Sequence, residues 1–111
     1  MRPVWLAAVV LAPTSSTSTV YVTSYCQTGR TASGEITRPG LAATKPGTPF
    51  GTVLTFAKPV LGLRRWVVAD RMAESDLASV DLYSTSCSRA LEWGIRRMTV
   101  TYTYPRKGPK V

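Results

Sequence analysis

The chain reads as an all-β protein, a compact six-stranded barrel with one short helix near residues 86–93. Three observations carry that reading. Six short runs of β-branched and aromatic residues recur along the chain, breaker-rich segments separate them, and a helical period appears once, late in the sequence.

Val20-Tyr21-Val22-Thr23-Ser24-Tyr25 alternates in β-formers and predicts a strand running into Cys26. Gln27 to Gly40 is dominated by Gly, Ser, Thr and Pro and predicts a long ordered loop. Leu41-Ala42-Ala43 is a short apolar piece able to pair as a strand, and Lys45-Pro46-Gly47-Thr48-Pro49 is turn chemistry. Gly51 to Phe56 and Trp66 to Asp70 are the next two strands, joined through Lys58-Pro59 and Leu61 to Arg65; Ser79 to Tyr83 is another. The period then changes. Cys87, Ala90, Leu91 and Trp93 fall on one side of a helix, with Ser84, Thr85 or Ser86 available as N-cap and Gly94 placed to end it. Met98 to Tyr104 alternates again and closes the fold as a strand. The basic, breaker-rich segment 105–111 is expected to be disordered. No internal repeat at a fixed period is present.

With 111 residues there is room for one domain and one core. Met1-Arg2-Pro3 carries positive charge, Val4 to Ala12 is continuously apolar, and Pro13 to Thr19 is small and polar, the layout of a secretory signal peptide with a short charged region. Its nine apolar residues are too few to span a bilayer, which takes about 20. A first strand or a disordered start is the alternative reading. The expected division is therefore a leader over 1–19, cut between Ser15 and Thr19, a barrel over 20–104, and a tail over 105–111. No transmembrane span would remain after removal of the leader.

A mature chain of about 95 residues has modest core stability and invites a staple. Cys26 and Cys87 are the only cysteines, and pairing them in an oxidising compartment would contribute roughly 4 kcal/mol by loop closure. Two unconnected thiols are the alternative. Two cysteines without histidine cannot build an ordinary structural zinc site, and the lack of histidine removes Ser-His and Cys-His catalysis. Neither metal nor cofactor is expected. The net charge of +8, mostly from ten arginines, points to a polyanionic partner: nucleic acid, anionic lipid or an acidic cell-wall polymer. Nucleic acid ranks last for an exported, disulfide-bonded chain, although Tyr102 and Tyr104 beside the basic tail offer a faint stacking platform.

Asp70 and Asp81 lie eleven residues apart, each in or at the end of a β-rich run. Carboxylates are costly inside strands, so this pair marks a shared polar pocket. Around it, Tyr25-Cys26, Thr31-Ala32-Ser33-Gly34, Pro39-Gly40, Ala42-Ala43, Pro49-Phe50-Gly51-Thr52, Asp70, Val80-Asp81-Leu82-Tyr83 and Ala90-x-x-x-Gly94-x-Arg96 stand in the order found in the three-aspartate domain family. Over residues 21 to about 103 the chain resembles that family, whose members are similar to the C-terminal domain of membrane-bound lytic transglycosylase A and, more distantly, to rare lipoprotein A and expansin-type domains.

The resemblance implies a six-stranded double-psi β-barrel that acts on peptidoglycan, with Asp81 as acid/base and Asp70 beside it. It implies sugar contacts for Thr23, Tyr25 and Ser33, each of which has a loop- or strand-satisfying role as its alternative, and Thr44 is a fourth substrate-binding candidate. The family's first aspartate falls on Thr44 here, and its glycine-rich stretch after Asp70 is replaced by Arg71-Met72-Ala73-Glu74-Ser75-Asp76-Leu77. In such chemistry one carboxyl with a raised pKa serves in turn as acid and base. Proximity of the aspartates and burial would raise it, whereas Arg71 and Arg96, if close, would lower it. The competing role for both aspartates is accepting backbone N–H bonds from loops. Glu35 is a spare carboxylate with a solvated surface role as its alternative, and Trp66 and Trp93 are core unless one stacks on a sugar. Two functions follow as expectations: an exported, monomeric lytic transglycosylase-like enzyme, or a non-catalytic barrel that binds the wall or envelope through its basic surface. A small structural or virion-associated barrel is a third.

Overall fold

The computed structural model describes residues 14–106. Most of the expected leader, 1–13, and most of the expected tail, 107–111, lie outside the described residues. Six strands, β1 (Ser15–Tyr25), β2 (Leu41–Thr44), β3 (Val53–Val60), β4 (Leu63–Arg71), β5 (Val80–Tyr83) and β6 (Arg96–Thr103), close into a barrel in the order β1-β5-β2-β4-β3-β6, and a single helix, α1 (Cys87–Trp93), precedes β6. The all-β barrel with one short helix is therefore the fold. β1 pairs in parallel with β5, and β2 with β4; the other four pairings are antiparallel.

Alternation places Val22, Leu54, Trp66, Val68, Leu82 and Val100 inside the barrel, each at most 1 % exposed. Both tryptophans that the sequence offered for sugar stacking belong to this interior. Trp66 donates its indole N–H to the Leu63 carbonyl at 3.1 Å, and Trp93 to the Val22 carbonyl at 3.0 Å, so neither buried ring leaves a donor unpaired.

Three elements differ from their sequence expectation. β1 begins at Ser15, not Val20, and the predicted cleavage window falls inside it. Its Ser/Thr half has no apolar signal to read, but it pairs with β6 from Ser15↔Thr103 to Thr19↔Thr99, and facing hydroxyls join at 3.2 Å, 3.2 Å and 3.3 Å along that ladder. The predicted connection between the third and fourth strands shrinks to the turn Leu61-Gly62, both at positive φ (48° and 88°), the geometry that matches strand twist in a two-residue hairpin. Lys58 and Pro59 lie within β3, where the ladder to β4 is interrupted between Thr55 and Val60 and a proline forfeits no ladder bond. Leu91 is 82 % exposed, so α1 buries only Ala90 and Trp93.

Ser86 is the N-cap, its hydroxyl accepting the Arg89 N–H at 3.2 Å, and Gly94 ends the helix at φ 64°. Cys26 at the end of β1 and Cys87 at the start of α1 form a disulfide across a separation of 61 residues. This bond ties the helix to the strand that leads into the loop Gln27–Gly40.

Reducing that disulfide is expected to lower unfolding free energy by about 4 kcal/mol, the loop-closure contribution for this separation. Urea denaturation with and without reductant checks it; an unchanged midpoint contradicts it.

Candidate functional site

Strict alternation along β4 would set Trp66, Val68 and Asp70 on one face and turn the carboxylate into the core. The strand avoids this. Its register against β2 runs Leu41↔Val67, Ala42↔Val68, then Ala43↔Asp70, so Ala69 is an inserted residue. One extra residue reverses every side chain beyond it, and Asp70 emerges on the outer face.

That face carries a row of in-register residues across four strands. Thr23 on β1 opposes Asp81 on β5, Asp81 opposes Ala43 on β2, and Ala43 opposes Asp70 on β4. Ala43, with no side chain beyond Cβ, leaves space between the two carboxylates, whose strands stand two interstrand spacings apart, about 10 Å. A cavity of about 250 Å³ opens there, lined by Tyr25, Asp70, Arg71, Asp76 and Asp81, with Ala43 and Ala73 among its remaining walls. The pair predicted to share a pocket does so.

The two aspartates have different surroundings. Asp70 accepts from the Ala32 N–H at 3.0 Å, the Arg71 N–H at 2.9 Å and the Tyr25 hydroxyl at 3.3 Å. With these three donors it fastens the loop 27–40 to the barrel. Asp81 accepts a hydrogen bond from the Thr23 hydroxyl at 3.0 Å. Burial raises its pKa from 3.8 to about 6, the Thr23 bond opposes that rise, and the negative charges of Asp76 and Asp70 add to it. Tyr25 has its phenol pushed well above the ordinary range, by burial first and then by Asp70, so it remains a donor. Its ring also meets Tyr83 edge-on at 5.6 Å.

Neither arginine expected to oppose the Asp81 shift contributes to it. Arg71 lines the cavity, but its guanidinium lies over the Phe50 ring at 3.9 Å and donates to the Thr44 hydroxyl at 3.4 Å; Arg96 lies over Trp93 at 3.7 Å.

The remaining sequence candidates divide. Tyr25 lines the cavity and donates to Asp70; Thr23 is outside the lining but stands in the row beside it and donates to Asp81. Ser33 is exposed on the loop, where its hydroxyl pairs with Thr31 at 3.0 Å, and it is not part of the cavity lining. Thr44 is 1 % exposed and reaches Arg71, so it is a buried support with no surface to offer a substrate. Glu35 pairs with Arg38 at 3.6 Å on the surface. Tyr102 is 8 % exposed and the Tyr104 hydroxyl bonds Ser16 at 2.9 Å, which leaves little of the stacking platform considered for nucleic acid.

Asp76 is the residue that sequence reasoning missed. It follows Asp70 in the loop between β4 and β5, receives the Ala73 N–H at 3.2 Å, and presents a third carboxylate to the cavity. The signal in the sequence was two further carboxylates, Glu74 and Asp76, within six residues of Asp70. Among the described residues, no group of three His, Cys, Asp or Glu side chains could hold a metal ion, and no helix is long and apolar enough to cross a membrane. Comparisons with known protein families, curated proteins and solved structures find no match to this chain.

Because the folded-state pKa of Asp81 lies above its ordinary value, the native state holds this proton more tightly than the unfolded chain. The stability so gained is complete below about pH 3.8 and is lost as pH rises through about 6. Asp81→Asn should therefore gain stability relative to wild type across that window. Urea midpoints of both proteins at pH 4 to 7 test this; parallel curves contradict it.

Proposed function

We propose that the chain is an exported, double-psi-type barrel that cleaves peptidoglycan glycan strands in the manner of a lytic transglycosylase, with Asp81 as its acid/base. The observation that carries this reading is a half-buried carboxyl with a pKa near 6, facing an open polar cavity, on a residue whose neighbour Asp70 is held by three donors. One-carboxyl chemistry asks for such a group, protonated in a useful fraction near neutral pH and accessible from solvent. The paired parallel and antiparallel strands of the closed six-stranded barrel are compatible with the double-psi arrangement.

The step balances with a single carboxyl. Protonated Asp81 gives its proton to the glycosidic oxygen as the C1–O4 bond breaks. The C6 hydroxyl of the same muramoyl residue then attacks C1, the C1–O6 bond forms, and its proton returns to Asp81. No water is consumed, and the product ends in a 1,6-anhydro ring. Asp70 is a positioning residue in this scheme: it holds Tyr25 and the Ala32 amide around the cavity. Asp76 adds negative charge, which favours the protonated form of Asp81 and would stabilise positive charge developing at C1. Export is supported by the apolar run Val4 to Ala12 and by the Cys26–Cys87 bond, which belongs to an oxidising compartment.

A second reading is favoured by Thr44. Where the resembling family has a carboxylate, this chain has a buried hydroxyl bound to Arg71. A barrel that binds the wall without cutting it would retain the net charge of +8 for anionic polymer and have no need of that carboxylate.

Incubating purified protein with sacculi and analysing the soluble products by mass spectrometry decides between the two. The enzyme reading expects 1,6-anhydromuropeptides, reduced by about a hundredfold or more in Asp81→Asn with an unchanged circular dichroism spectrum. Sedimentation with sacculi and no anhydro products would sink it and support the binding reading.

A further inference from the structure

Away from the aspartate row, the barrel wall is open between β3 and β6. The two strands pair only over Val53–Thr55 against Thr101–Thr103. β6 continues to Arg96 with β1 on its other side, and β3 continues to Val60 without a β6 partner. A cavity of about 410 Å³ occupies the divergence, within the roughly 300–1,000 Å³ of ligand sites.

Its walls are consecutive residues, 56–60 on β3 and 96–99 on β6. Successive side chains of a strand point to opposite faces, so a cavity lined by an unbroken run follows the strand's edge and not one of its faces. The opening is a slot between two strand edges. Lys58, Arg96 and Arg97 line it together with Phe56, Trp93 and Met98, and no carboxylate does. Among the described residues the only ion pair is Glu35 with Arg38, so the three cations of the slot have no carboxylate partner.

We propose that this slot receives an extended acidic peptide as an added strand. The two edges are not equivalent. Pro59 on β3 has no N–H to give an added strand, whereas every residue of the corresponding stretch of β6, Arg96 to Val100, has one, and β6 offers the template. The peptide backbone pairs with β6. Its side chains alternate, acidic groups meeting the exposed Lys58 and Arg97 at the rim and apolar groups meeting Met98, which lies on the other face of β6 from Arg97. Charge complementarity selects an acidic strand over a basic one, and the free strand edge selects a peptide over a lipid chain, which has no backbone to pair.

The test titrates the full chain with the blocked peptide acetyl-Glu-Val-Glu-Val-Glu-Val-amide, followed by tryptophan fluorescence and by backbone amide shifts. Saturable binding that weakens with salt is expected, with shifts concentrated in residues 56–60 and 96–100. Lys58→Glu, at an exposed position, should weaken binding about fivefold while leaving the fold intact. N-methylation of the amides along one peptide edge should weaken it about tenfold or more, a loss that charge attraction alone would not produce. Each of four results overturns the proposal: no binding at millimolar peptide, equal binding of the lysine counterpart, undiminished binding of the N-methylated peptides, or self-association of the protein through this slot in place of peptide binding. Displacement of the peptide by decanoate, with tighter binding of that acid, would assign the slot to a lipid chain and overturn it as well.

Discussion

The site depends on one inserted residue. Ala69 interrupts the register of β4 against β2, and that single extra position decides whether Asp70 faces the core or the cavity. Without it the carboxylate would share a face with Trp66 and Val68 and lie among apolar side chains, where an unpaired charge costs several kcal/mol. With it Asp70 joins the row Thr23, Asp81, Ala43, Asp70 and finds three donors. Those bonds in turn hold the loop Gln27–Gly40 against the barrel and keep Tyr25 over the cavity. β2 completes the arrangement: its four residues are all buried, parallel to β4 and antiparallel to β5, and its Ala43 separates the carboxylates without filling the space between them.

The unequal surroundings of the two aspartates follow from this geometry. Three donors make Asp70 the anchor of the loop. Asp81 has the Thr23 hydroxyl and a desolvating environment, so its proton is retained to higher pH. Of the two roles weighed for these residues, loop anchoring falls to Asp70, and proton transfer is the role proposed for Asp81. Asp76 sharpens the division, since its charge acts on Asp81 from the loop between β4 and β5.

Much of the fold was legible because period-2 patterning is a direct consequence of strand geometry. Val20 to Tyr25, Val80 to Tyr83 and Met98 to Tyr104 announce themselves by alternation, and the helix by Ala90, Trp93, the Ser86 cap and Gly94. What stayed hidden was what depends on pairing between distant segments. Ser15 to Thr19 has no apolar pattern, and only the hydroxyl ladder against β6 makes it a strand. Lys58-Pro59 has breaker chemistry but sits where no ladder bond is required of it. Leu91 has helical spacing with Ala90 and Cys87 yet faces solvent, because a helix of two turns against one strand has a narrow buried stripe. The aspartate pair was visible as spacing, but its shared face was not: alternation alone would have put Asp70 inside.

The central claim is that burial on the outer face of this barrel gives Asp81 a proton to lose near neutral pH. Carboxyl ¹³C chemical shifts of the aspartates followed from pH 3 to 8 measure that directly, with Asp81→Asn identifying the resonance. A midpoint of about 6 for Asp81 is the predicted result, and it should remain above 3.8 in Asp70→Asn because burial contributes more than the neighbouring charge. A midpoint at the ordinary aspartate value in the wild-type protein would contradict the account.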